Sequence, residues 1–281
     1  MAHFWRLVIK LVSRARMTDD KVITKTDFEN LARQHQRSLK SFVYRFITSK
    51  HEAEDITQET LVKAFQKFDT FQGKSSFKTW LFAIGANLAK DHLRSKKRWA
   101  VEAQDNCKSL IGSSPNLAAG LRHINSTSEY GKYEIEEHID FCFTCISKSL
   151  IIEQQLALML ADIYDFKVKE ISEILNVTAG VVKHLLHDAR AKMEDIFERR
   201  CALINKQGVC HQCSELNGLS NTKAETQRKI AALELVKASR TVDKKILFKM
   251  RAEIVKSIDP LNSKGVDLHD FLLQITHRAN D

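Results

Sequence analysis

Apolar residues in this chain recur mainly at three- and four-residue spacing, the period of an amphipathic helix. Phe28, Leu31, Leu39, Phe42 and Phe46 keep that spacing, and His35 falls on the same stripe, where a packed core histidine is expected. The tetrapeptide TDFE, with Thr26 as cap and Glu29 reaching back, is a capping box that would open this helix. A second helix is predicted over 51–68. It sets Ala53, Ile56, Leu61, Ala64, Phe65 and Phe68 on one side and Asp55, Gln58, Glu59 and Val62 on another. After the loop DTFQGKSS comes FKTWLFAIGANLAKDHLRSKKR, residues 77–98. There Trp80, Leu81, Ile84 and Leu88 form a core-like face, while Asn87, Asp91, Arg94 and Arg98 line another and run into Lys96, Lys97 and Arg98. A polar row ending in clustered positive charge is an ordinary solvated face when met alone. The rest of the chain changes that reading.

Residues 99–131 are rich in Ser, Asn and Gly and contain Pro115, so a flexible interdomain linker is expected there. Helical spacing returns over 132–149 and again from 153 to 200, where Leu156, Met159, Leu160 and Ile163 form a core stripe. KVKEISEILNVTAGVVKHLLHDARAKM reads as helix, short turn and helix. Ile171, Ile174 and Leu175 face inward, Asn176 suits a left-handed turn, and Thr178 can cap the second helix. Val182 and Leu186 anchor that helix, leaving Lys183, His187 and Arg190 together on its outer face. Such a motif can place its second helix in a DNA major groove. Three more helices are expected around 222–238, 241–257 and 267–278, where Ile230, Leu233, Leu235 and Val236 could cover the preceding domain or meet a partner.

With 281 residues, 43% apolar, and only 9 Gly and 2 Pro, the chain has material for about two helical domains. The expected fold class is all-α: two helical domains joined by the linker, plus a helical C-terminal extension. The boundaries are 1–25 for an N-terminal extension, 26–98 for the first domain, 99–131 for the linker, 132–213 for the helix-turn-helix domain and 214–281 for the tail. A formal charge of +9 favours a polyanionic partner. No apolar run reaches the ~18 residues of a membrane span. The basic, apolar start MAHFWRLVIKLVSRARM lacks a convincing cleavage site, leaves Met1 or Met17 as the start, and points to a cytoplasmic protein. No Gly-rich phosphate loop, nucleophile–base set or metal-holding carboxylate cluster is evident, so no enzyme, a nuclease included, is expected.

Two stretches resemble bacterial RNA polymerase sigma factors of the extracytoplasmic-function subgroup. HEAEDITQETLVKAFQKFDTFQGKSSFKTWLFAIGANLAKDHLRSKKR is similar to their second domain, and EQQLALMLADIYDFKVKEISEILNVTAGVVKHLLHDARAKM to their fourth. The resemblance covers about 26–98 and 150–200. It implies that Asp55, Gln58, Glu59 and Val62 dock on core RNA polymerase. It further implies that Phe71, Gln72, Gly73, Lys74, Ser75, Phe77, Lys78, Asn87, Asp91, Arg94 and Arg98 capture the non-template strand of the minus-ten element. Thr178, Lys183, His184, His187 and Arg190 would read promoter DNA at minus thirty-five. His184, Leu185 and Asp188 depart from the family's more basic pattern, so no promoter sequence carries over. The resemblance leaves an anti-sigma factor open as a further partner. The rival readings are a helix-turn-helix regulator, and a metal- or redox-sensing DNA-binding protein, neither acting as a sigma subunit.

The six cysteines include two C-x-x-C pairs. Cys142, Cys145, Cys210 and Cys213 are the preferred ligand set for zinc, with His138 and Cys201 as alternates and an iron–sulfur cluster as the other option. Small core cysteines are the plain alternative, and Cys107 is expected to be unrelated.

Overall fold

The computed structural model describes residues 25–280, and these contain fourteen α-helices and no strand. The N-terminal segment, with the choice between Met1 and Met17, lies outside the described residues. Helix α1 (Lys25–Ile47) begins before Thr26, so Thr26 stands inside the helix rather than at the expected cap. The chain leaves α1 through Thr48 at φ 65°, and Ser49 caps α2 (Lys50–Gln66) by accepting from the Glu52 amide at 3.3 Å. A short 3₁₀ turn (Phe68–Thr70) and a loop then lead to α3 (Phe77–Leu93), capped by Ser76. These helices bury Phe28, Leu39, Phe42, Phe46, Leu61, Leu81 and Phe82 as one core.

Residues 99–131 are not an irregular connection. They form α4 (Ala103–Ser113) and α5 (Pro115–Thr127). Pro115 stands at the start of α5 behind the cap Ser114, where its missing N–H costs nothing, so it opens a helix instead of breaking one. Ala103, Cys107 and Leu121 are buried because the last helix of the tail, Val266–Asn280, packs along them. That partner lies more than 130 residues away, so local composition gives no sign of it.

The helix-turn-helix unit follows as α6 (Ile135–Ser147), α7 (Ile152–Leu158), a π-turn (Met159–Ile163), α8 (Val168–Leu175) and α9 (Ala179–Arg200). Asn176 takes the left-handed conformation at φ 53°, and Thr178 caps α9 by accepting from the Val181 amide, both as the spacing predicts. The tail forms α10 (Gln212–Ser220), α11 (Lys223–Ala232), α12 (Glu234–Ala238), α13 (Lys244–Ser257) and α14 (Val266–Asn280). It packs on both units. Helix α13 lies on α6, α9 and the π-turn, while α14 lies on α4, α5 and α6. The Asp259 carboxylate, just beyond α13, accepts from Arg37 and Ser41 of α1. Leu233 and Leu235 are buried within this body, and Ile230 and Val236 pack against its core.

A buried polar network joins all three parts. The Arg45 guanidinium on α1 donates to Asp140 of α6 at 2.8 Å, to the Tyr164 hydroxyl at 2.7 Å, and to the carbonyls of Val255 and Ile258 at 2.9 and 2.6 Å. Nearby, the buried Lys148 ammonium donates to the Phe46 and Ile47 carbonyls and the Thr48 hydroxyl where α1 ends, and sits over the Trp99 ring. A cation at a helix C-terminus complements its orphan carbonyls and dipole.

Candidate nucleic-acid interface

The acidic face of α2 is built by its period. Ala53, Ile56, Thr57, Thr60, Leu61 and Ala64 turn inward, so Asp55 and Glu59 project outward. Gln58 and Val62, half-buried, complete the same face. Asp55 meets His51, Glu59 meets Lys63, and Gln58 donates to Glu54, all along the helix surface. Among the described residues helix α2 packs mainly against its neighbours in the first unit, which leaves this side open.

Beside it lies an aromatic cluster. Phe28, Phe68, Phe71, Phe77 and Trp80 meet edge-on or tilted, except for Phe68 and Phe71, which stack; the Phe71 and Trp80 centroids are 5.1 Å apart. The loop carrying Gln72, Gly73 and Lys74 is exposed, and Gly73 has φ 66°, a conformation glycine reaches freely. Ser75 is half-buried and Phe77 is buried in the cluster. His35 is half-buried, stacks on Phe77, and has its pKa lowered by burial and by Lys78.

The packed side of α3 is rotated from the one its sequence suggests. Leu81, Phe82, Ala86, Ala89 and Leu93 are buried, whereas Trp80, Ile84 and Leu88 are half-buried flanks. Small Ala and Gly residues let α1, α2 and α8 approach there, a contact that ranking by side-chain size overlooks. Asn87, Asp91 and Arg94 form an exposed row.

The other two expected strand contacts, Lys78 and Arg98, are engaged within the protein. Lys78 donates to the Tyr164 carbonyl at 2.9 Å and lies 4.3 Å from the Phe166 ring centroid, and burial lowers its pKa. Arg98 lies beyond the end of α3. Its guanidinium donates to the Leu150 carbonyl at 2.7 Å and to Gln155, and burial lowers its pKa to about 10. Lys90 pairs with Glu153 at 2.9 Å, and Thr79 donates to Glu170. The first and helix-turn-helix units are thus closed on each other along α3.

On α9, Thr178, Lys183, His184 and His187 are exposed. Arg190 is not free beside them. It forms a two-pronged pair with Asp162 of the π-turn, at 2.9 and 2.5 Å, which raises its pKa. The π-turn turns Asp162 toward α9, and no spacing rule foretells that. The same groove, ≈ 600 Å³, is lined by Lys183, His187 and Arg190 from α9 and by Lys245, Lys249 and Lys256 from α13. Lys256 is held by Asp165 and Glu253, but Lys245 and Lys249 are exposed. Sequence reasoning missed these two. Their i, i+4 spacing on a basic helix was the available signal.

Two family models match the chain in order: Sigma-70 region 2 over residues 31–99 and Sigma-70, region 4 over residues 142–193. Both stretches match the sigma-70 family. Region 2 spans α1 to α3, and region 4 spans α6 to α9. The ECF RNA polymerase sigma factor SigE of Mycolicibacterium smegmatis is 29% identical over 173 residues, covering 61% of this chain and 62% of that protein. The SigG factor of Mycobacterium tuberculosis is 25% identical over 179 residues, covering 60% and 48%. The sigma-E factor of Haemophilus influenzae is 27% identical over 188 residues, covering 66% and 92%. The match therefore spans about half to under two thirds of the length of the first two relatives. The family models stop at residue 193, short of the whole tail. Among the described residues no helix is long and apolar enough to cross a membrane.

Proposed function

We propose that this chain is a sigma factor of the extracytoplasmic-function subgroup. It binds core RNA polymerase and directs promoter recognition and the start of transcription. It is not an enzyme, and it works in the cytoplasm with polymerase. The observation that carries this reading is the open acidic face of α2 beside the exposed Asn87–Asp91–Arg94 row, on a chain that also presents a capped helix-turn-helix. A plain repressor needs the last of these but not the first two. In this reading Asp55, Gln58, Glu59 and Val62 dock on polymerase. Phe71 to Ser75 and the α3 row hold a melted strand, where bases stack on aromatic faces and cations follow the backbone. The exposed face of α9 reads duplex DNA.

Strand capture by Lys78 and Arg98 requires region 4 to move off α3, because both side chains are held by region 4 backbone in the closed arrangement. The sigma reading therefore includes an opening step on polymerase, and an anti-sigma factor could act by holding the closed form. The test is a binding titration with purified core polymerase. Charge reversal of Asp55 and Glu59 to Lys should weaken binding by at least tenfold while helicity stays intact, since truncating or reversing buried interface charges costs ~2 kcal/mol or more. Unchanged affinity would remove the reading.

A further inference from the structure

Four cysteines come together around a small cavity of ≈ 180 Å³ between the helix-turn-helix unit and the tail. Cys142 comes from the middle of α6, Cys201 from the residue that ends α9, Cys210 from the following loop, and Cys213 from the first turn of α10. All are free thiols. All four line this one cavity. Cys145, expected as a ligand, does not line the cavity. Cys201 takes its place in the lining.

The loop that presents them is tightly built. Cys201 and Cys210 form an isolated parallel bridge, with the Cys210 amide donating to the Arg200 carbonyl at 2.9 Å. Gly208 lies so close beneath that a Cβ there would stand 2.7 Å from the Ala202 nitrogen and the Cys201 carbonyl carbon. A second observation concerns charge. Arg251 of α13 is 1% exposed, and no carboxylate pairs with it among the described residues. It stacks over the Phe197 ring at 3.9 Å and donates to Cys201 Sγ at 3.4 Å, while its Nε has no hydrogen-bond partner. A buried guanidinium needs a nearby anion, because an unpaired buried charge is very costly.

We propose that Cys142, Cys201, Cys210 and Cys213 bind one zinc ion that ties region 4 to the C-terminal extension. Zinc with four thiolates carries two negative charges in excess, and Arg251 offsets part of them. On binding, four thiols lose four protons and four metal–sulfur bonds of ~2.3 Å form. Among the described residues no three such side chains already surround one coordination point, so binding requires the four to draw together on the ion. His138 lines the same cavity but stacks on Phe141 and lies beside His269, so it stays outside the coordination sphere.

The test uses the full chain, grown with zinc and purified under reducing, oxygen-free conditions. Elemental analysis should give about one zinc per chain, and zinc-edge X-ray absorption should give four sulfur neighbours and no nitrogen. Replacement by cobalt should produce the intense sulfur-to-cobalt charge-transfer absorption of a tetrathiolate site. Cys201→Ser and Cys213→Ser should weaken cobalt binding by more than ~100-fold, beyond the loss typical of an outer-shell change. Cys145→Ser and Cys107→Ser should bind as wild type. If a serine variant fails to fold, the wild-type absorption data decide. A metal-free chain, a nitrogen ligand, iron–sulfur absorption, a Cys201–Cys210 disulfide, or loss of metal on Cys145→Ser would each overturn the proposal.

Discussion

Removing the carboxylate of Asp140 should loosen the whole molecule, because one buried guanidinium is tied through it. The Arg45 and Asp140 side chains are 3% and 5% exposed. Burial pushes the Asp140 pKa up, and the Arg45 charge offsets part of that shift. The pair is held by mutual contact, away from water. Asp140→Leu leaves Arg45 with the Tyr164 hydroxyl and two carbonyls but no counter-charge. Breaking a buried pair in this way costs about 3–5 kcal/mol. A domain of this size loses roughly 2–4 °C of Tm per kcal/mol, so the expected drop is about 6–20 °C by calorimetry or circular dichroism. Arg45→Met combined with Asp140→Leu should recover most of the loss, since apolar replacement of a buried pair is often neutral. A drop below about 2 °C for Asp140→Leu alone would refute the reasoning. It would mean that the network linking α1, α6 and α13 adds little to the closed arrangement.

Lys148 gives a pH signature: burial lowers its pKa from the usual 10.5 to about 7, so between those values the unfolded chain binds more protons and stability rises with pH. The unfolding free energy of wild type relative to Lys148→Met should rise by up to roughly 1.4 kcal/mol per unit from pH 7 to pH 9, and a constant difference would contradict the burial argument. Lys245→Ala with Lys249→Ala should lower the salt slope of upstream duplex binding by about 2 while sequence preference persists, as expected for two lost phosphate contacts; an unchanged slope would take α13 out of the interface. Asn87→Ala should reduce promoter melting, followed by permanganate reactivity, more than core binding, and normal melting would detach the α3 row from strand capture.

The sequence was most legible where neighbours along the helix set the structure. The stripes of α1 and α2, the Asn176 turn and the Thr178 cap all follow from local spacing. Legibility failed where a distant partner decides. Ser114 and Pro115 look like linker residues until α14 covers α4 and α5. Arg98 and Arg190 read as free cations by helical position, yet Leu150, Gln155 and Asp162 claim them across the fold. The cysteines divide the same way. Cys142 and Cys145 share a helix face by count, but the loop closed at Gly208 brings Cys201, not Cys145, to the cavity. The acidic face of α2 was legible because no other element among the described residues packs over it.

The central claim is tested most directly by transcription in vitro. Purified core polymerase and the full chain are incubated with a library of promoter fragments, and the transcripts are sequenced. The account predicts specific initiation from a subset of fragments that depends on the added chain, and its loss when Asp55 and Glu59 are both changed to Lys. Core polymerase that initiates equally with and without the chain, or transcripts that persist at full yield with the charge-reversed variant, would contradict it.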